Sequence, residues 1–127
     1  MPKQVYFYNV VGLAKNSKKT KHSGFYTTHH ISTKLYNSDD ETTGYAFSVN
    51  NIFNSNGVLH VTTTTTYETD DGTLVCNWSY KTNSDYLIDK ITTTPTFTGG
   101  KYEKKKVKME LDVFPDEVGT RKLTITY

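Results

Sequence analysis

The stretch that decides the fold is residues 58–80, VLHVTTTTTYETDDGTLVCNWSY. In its second half one alternating set, Leu74, Cys76, Trp78 and Tyr80, is larger and more apolar than the set between, Thr73, Val75, Asn77 and Ser79. A period of two with one apolar face predicts a half-buried β-strand. Residues 58–68 make a second strand. Its five consecutive threonines, 62–66, are β-branched and sit well on a pleated surface. Asp70-Asp71-Gly72 between the two has hairpin chemistry, because aspartate and glycine tolerate the turn conformations that other residues resist.

Outward from this hairpin the same pattern repeats. Residues 5–11, 25–36 and 45–53 read as strands. Asn37-Ser38-Asp39-Asp40 forms a turn, and Asn54-Ser55-Asn56-Gly57 gives the clearest hairpin signal of the chain. On the C-terminal side, residues 86–97 read as a strand with Pro95 at an edge or bulge, and Thr98-Gly99-Gly100 as a turn. Residues 101–113 and 123–127 supply the last two strands, and residues 15–24 read as a polar, basic loop. No segment has a 3.6-residue apolar period. About eight short strands at even spacing predict an all-β sandwich or barrel, and closing the sheet removes the edges that a threonine-rich chain would otherwise expose. The expectation is one domain over residues 1–127, an eight-stranded antiparallel β-barrel.

Composition narrows the function. Roughly one residue in six is threonine, which favours sheet over helix. The net charge of +2, from Lys+Arg 15 against Asp+Glu 13, lacks the strong basic excess of a nucleic-acid binder. The apolar runs are too short to span a bilayer as helices, so no membrane partner is expected. No basic segment followed by an apolar one opens the chain, and Cys76 is the single cysteine. The expectation from these two features is a cytoplasmic protein without disulfides.

From Thr33 onward a series of fragments resembles the allene oxide cyclases. They are Thr33-Lys34-Leu35-Tyr36, Gly44, Gly72-Thr73-Leu74, Thr98-Gly99-Gly100-Lys101-Tyr102-Glu103, Val113-Phe114-Pro115 and Thr124-Ile125-Thr126-Tyr127. The glycine-rich turn is similar to that of dirigent proteins. The resemblance implies an eight-stranded barrel with a central cavity, in a family that is often trimeric. It also implies cyclase residues that this chain does not keep. Asn9 stands where the family has a first-strand glutamate, Val11 and Thr33 where it has asparagines, and Asn50 near its cavity cysteine. Trp78 stands at a family glycine, and Tyr80 matches a cavity tyrosine. An amide cannot ionise, so Asn9 cannot replace a carboxylate in moving a proton. Allene oxide cyclase activity is therefore not expected.

Other constellations point to no reaction. His29 and His30 are adjacent on a strand and face opposite sides, so with His22 and His60 they give no metal-ligand spacing. Lys104-Lys105-Lys106 and Lys108, with Lys18, Lys19 and Lys21, read as solvated faces diluted by Glu103, Glu110 and Asp112. Neither a nucleophile elbow nor a phosphate loop is present. No cofactor and no metal are expected. The leading expectation is a non-catalytic or weakly catalytic barrel that binds a small apolar or aromatic molecule in a lumen lined by Phe7, Asn9, Thr33, Leu35, Leu74, Cys76, Trp78 and Tyr80. A homo-oligomer, a trimer by the resemblance, is expected through an outer interface at Tyr45, Phe47 and Val49, and one alternative function is a structural or assembly protein with a packed interior that works through this interface. The other is a cyclase of a different substrate.

Overall fold

The computed structural model describes residues 2–9, 17–82, 90–113 and 120–127. Ten strand segments form one antiparallel sheet: β1 (Lys3–Asn9), β2 (Ser17–Lys21), β3 (Tyr26–Tyr36), β4 (Thr42–Ser55), β5 (Val58–Thr69), β6 (Gly72–Thr82), β7 (Lys90–Thr93), β8 (Phe97–Thr98), β9 (Lys108–Val113) and β10 (Thr120–Thr126). They fall on eight tracks. β1 and β2 share one edge of β3, with Phe7 opposite Tyr36 and residues 17–21 opposite 31–27. β7 and β8 share the track between β9 and β6. Each track is antiparallel to the next, and β10 pairs with β1 from Lys3↔Thr126 to Asn9↔Thr120. The sheet therefore curls into the expected barrel.

The closure depends on one segment. β7 pairs with β9 at one end of the sheet and β8 with β6 at the other. Only residues 94–96 separate them, so the two ends of the sheet meet. Thr96 N donates to Val75 O at 2.7 Å, and Thr93 Oγ1 donates to Asn77 O at 3.2 Å. Pro95 sits in this crossover, where its missing N–H costs no ladder bond.

The long hairpins follow the turn chemistry. Asn56 and Gly57 both have positive φ, +52° and +83°, and the Asn54 side chain accepts from Gly57 N at 3.0 Å. A two-residue turn of this hand matches the twist of β4 and β5 and fixes their register from Ser55↔Val58 to Gly44↔Thr69. The register then carries through to β6, from Leu59↔Thr82 to Thr69↔Gly72.

Two readings change. Residues 17–21, expected as loop, form β2. Ser-Lys-Lys-Thr-Lys has no apolar period, and its strand exists only because the free half of the β3 edge receives it. The strand expected over 101–113 begins only at Lys108. Before it lies a 3-10 turn, Gly100–Tyr102, that drives Tyr102 into the core. The start of the strand expected over 86–97, residues 86–89, lies outside the described residues, as does Val11. Among the described residues no helix is long and apolar enough to cross a membrane.

Burial grades along the barrel. At one end Leu35, Leu74, Met109, Leu123, Ile125 and Tyr102 are fully buried. At the other end, on the same inner rows, His29, Asn50, Ile52, Tyr80 and Arg121 are only half-buried. The filled end is tied by Tyr102, whose hydroxyl donates to Tyr6 at 3.3 Å while Tyr6 donates to the Asp71 carboxylate at 3.3 Å. Lys101 Nζ lies 3.8 Å from the same carboxylate.

Gly72 is a point of close backbone approach at this end. Its φ is +153°, and a Cβ there would lie 2.2 Å from the Gly99 carbonyl oxygen. That carbonyl accepts from Thr73 N at 3.3 Å, and Gly99 N donates to Thr73 O at 2.9 Å. Gly72→Ala should force this clasp apart and cost at least about 1–3 kcal/mol. Gly24→Ala, which meets open space, should stay within about 0.5 kcal/mol. Urea unfolding of the two variants checks the contrast, and equal midpoints would refute it.

Candidate ligand site in the barrel interior

Strand parity assembles the interior. The inner row of β6 is Leu74, Cys76, Trp78 and Tyr80. It lies opposite Tyr67, Thr65, Thr63 and Val61 of β5, which in turn face Ala46, Ser48, Asn50 and Ile52 of β4. Thr33 and Leu35 of β3 join the same face through Ala46 and Gly44. Six of the eight expected lumen residues are therefore inward: Thr33, Leu35, Leu74, Cys76 and Trp78 are buried, and Tyr80 is half-buried.

Phe7 and Asn9 are not inward, and this corrects the expected lumen. The buried residues of β1 are Tyr6 and Tyr8, so Phe7 and Asn9 face the outside, with Lys122 and Thr120 across the ladder. Asn9 is exposed and its amide donates to Thr120 Oγ1 at 3.3 Å. The cause is the run Val5-Tyr6-Phe7-Tyr8, which is apolar on both parities and leaves the period of two undecided. The burial of Tyr6 and Tyr8 against β10 chooses the face.

The polar groups of the interior separate into those that satisfy one another and those that do not. Thr63 Oγ1 donates to Asn50 Oδ1 at 2.6 Å, Asn50 Nδ2 donates to His29 O at 3.1 Å, and Ser48 and Thr65 share a hydrogen bond at 3.0 Å. Across the lumen Tyr8 and Tyr67 meet hydroxyl to hydroxyl at 2.9 Å, with their rings edge to face at 5.9 Å. Two hydroxyls carry two protons, and their shared bond uses one. The other has no acceptor among the described residues. Trp78 Nε1 is fully buried and has no hydrogen-bond partner among them either. The indole lies near enough to favour the ionised forms of Tyr67 and Cys76, yet reaches neither in hydrogen-bond geometry.

Arg121 adds a cation to this group. It lies opposite Tyr8 on the inner parity of β10, shared with Leu123 and Ile125. Its guanidinium donates to Thr120 O at 3.2 Å and forms no ion pair among the described residues. Burial raises the Tyr80 hydroxyl above the usual phenol range, and Arg121 opposes that rise. Burial pushes Tyr8 up to about 12 and Cys76 up to about 12, and holds Tyr67 well above 10. All are neutral at pH 7, so Cys76 is a thiol rather than a thiolate there. His29 is lowered by burial first, then by Lys19 and His30. Among the described residues no three of His, Cys, Asp or Glu stand close enough to share a metal ion.

Arg121, Tyr8 and Tyr67 were not expected as site residues. The alternation Arg121-Leu123-Ile125 carried the signal for Arg121, since it shares the parity of two apolar residues. Tyr67 shares that of Thr63 and Thr65. The expected outer residues do face out: Tyr45, Phe47 and Val49 are 47%, 44% and 38% exposed. Phe47 and Val49 border a groove of about 420 Å³ that Lys18, His30, Thr64 and Thr66 also line.

Fold and site together define a small antiparallel β-barrel, filled at one end and carrying toward the other donors that are unpaired among the described residues. Among solved structures this chain is similar to a pyocyanin demethylase, with a TM-score of 0.68 and 16% identity over 98% of each chain. At that identity the likeness establishes the fold alone. No protein-family model and no curated protein matches the sequence.

The buried phenols make stability depend on alkaline pH. Tyr8 is raised in the folded protein from 10 to about 12, so its contribution is complete below pH 10 and is lost as pH rises through 12. That span corresponds to roughly 2–3 kcal/mol. Cys76, raised from 9 to about 12, acts in the same direction from pH 9 upward. Urea unfolding at pH 8 and pH 11 should show a loss that is smaller in Tyr8→Phe than in the native chain. An equal loss in both would exclude Tyr8 as its source.

Proposed function

We propose that the protein is a binding barrel that takes a small apolar or aromatic molecule into its Tyr80 end, with Trp78 as the floor of the site. The observation that carries this reading is Trp78 Nε1. A buried N–H without an acceptor costs about 1–3 kcal/mol, and a ligand acceptor relieves that cost. The half-buried inner residues Ile52 and Tyr80, next to buried Val61, give an apolar wall with few polar atoms, as small-molecule sites have. The similar solved structure is named for a small-molecule substrate, pyocyanin, and this supports a ligand in a barrel of this shape. The resemblance to allene oxide cyclases and dirigent proteins supports the same location through Tyr80. It supplies no general acid or base here, so binding rather than turnover is the function we infer.

Trp78 is the single tryptophan, so its emission reports the site. It should be blue-shifted and shielded from iodide, and should change saturably with at least one member of a panel of naphthalene-sized aromatic molecules. Trp78→Phe, which keeps the ring and removes the N–H, should weaken binding measured by calorimetry. Failure of the whole panel to bind the native chain would count against a ligand-binding barrel.

The outer row supports a second reading, self-association. Tyr45, Phe47 and Val49 are exposed on β4, with Lys34 on one flank and Glu68 on the other. A second copy laid across this face with reversed flanks sets lysine against glutamate. The trimer that the resemblance implies is the assembly to test. Light scattering should give a multiple of 14.5 kDa that falls in Phe47→Lys. A monomer mass for the native chain at micromolar concentration would dismiss it.

A further inference from the structure

The two tyrosine networks of the interior differ in where they end. At the filled end the chain of donors runs from Tyr102 to Tyr6 and stops on a carboxylate, Asp71, with Lys101 beside it. At mid-barrel the Tyr8–Tyr67 pair has one hydroxyl proton left over, Trp78 Nε1 has no acceptor, and Arg121 stands opposite Tyr8 without an ion pair among the described residues. The Tyr80 hydroxyl makes no hydrogen bond among the described residues. Among the described residues the mid-barrel group thus has donors left over and one positive charge, and no acidic acceptor such as Asp71 provides at the filled end.

We infer that the interior site recognises a carboxylate: the ligand is a planar aromatic acid whose anion meets Arg121 and the unpaired donors of Trp78 and the tyrosines, while its ring lies against the Trp78–Tyr80 row. This inference rests on the ligand-binding reading above and adds the chemical class. A guanidinium presents a fork of N–H donors that matches two carboxylate oxygens. In a site walled by aromatic and aliphatic side chains, such a charge-assisted contact is stronger than in water. Among the described residues, the groups that face Arg121 do not compete for it. Tyr8 opposite and Tyr80 across the lumen are both neutral phenols at pH 7. The polar row at Asn50, Thr63, Ser48 and Thr65 is already internally bonded. An amide of the same shape keeps one acceptor oxygen but loses the charge, so it should satisfy Trp78 and not Arg121.

The experiment compares 2-naphthoate with 2-naphthamide on the full chain at pH 7.5 by calorimetry, and follows the single indole N–H resonance by nuclear magnetic resonance. The acid should bind on the order of tenfold to a hundredfold tighter than the amide. The indole proton should move downfield as it gains an acceptor. In Arg121→Gln the acid-to-amide ratio should fall toward one, and Arg121→Lys should restore part of it. Should Arg121→Gln fail to fold, the native comparison still decides. Equal binding of acid and amide to the native chain overturns the carboxylate inference and leaves the aromatic site standing. An unchanged ratio in a folded Arg121→Gln also overturns it. Binding of neither compound overturns the inference together with the binding-barrel reading.

Discussion

The hydrogen bond between Tyr8 and Tyr67 is the contact on which the interior turns. It joins β1 to β5 across the lumen, between residues far apart in sequence, at 2.9 Å. A phenol is a large apolar ring with one polar atom, and burying it requires a partner for that atom. Each of these two tyrosines supplies the other's. Their rings fill the barrel's middle and divide it into a packed portion, which ends on Tyr102 and Asp71, and a portion toward Tyr80 in which side chains are half-buried. Fixing both rings also fixes the face of β1, because Tyr8 can reach Tyr67 only if Phe7 and Asn9 point outward.

The strand closure and this cross-lumen bond serve one another. Sheet pairing around eight tracks brings β1 opposite β5, and burial of the tyrosines holds the curvature that lets β7 and β8 close the sheet. The closing segment contributes few main-chain bonds of its own. β8 pairs with β6 only through Leu74↔Thr98 and Val75↔Phe97, supplemented by the Gly72–Gly99 clasp. A closure this short is stable because the core behind it is dense: Leu74, Cys76, Tyr102 and Met109 are fully buried beside it. The positive-φ glycine at the clasp permits the two backbones to approach closer than any side chain would allow.

How far the sequence discloses this depends on whether one parity of each strand is visibly different from the other. In β6 it is: alternation puts Leu74, Cys76, Trp78 and Tyr80 on one face, and the likeness of Tyr80 to a cavity tyrosine makes that face the inner one. In β4 the outward set Tyr45, Phe47 and Val49 was assigned correctly against the smaller inward Ala46 and Ser48, although it is the more apolar set, because register rather than hydrophobicity placed it. In β1 both parities are apolar, and the choice fell on the wrong one. In β2 both parities are polar, and no strand was legible. Its existence is decided by an unfilled edge on β3, a tertiary fact that no local pattern encodes. The eight-track barrel was therefore readable from turns and spacing, while the site was readable only in the half contributed by β3 and β6.

Arg121 shows why the other half stayed hidden. A pattern rule assigns a charged residue to the solvent face, and it does so correctly for Lys106 or Lys108. Arg121 breaks the rule while keeping the parity of Leu123 and Ile125, and such a local conflict is what a functional position produces. Among the described residues it has no ion pair, and it lies near the end of β10, where it is half-buried rather than fully buried. The same position sets it facing Tyr8 and the lumen. A half-buried charge on the inner row of the barrel is neither an efficient core residue nor an ordinary surface one. Together with the inward indole N–H of Trp78, which has no acceptor among the described residues, that placement is what leads us to an anionic ligand.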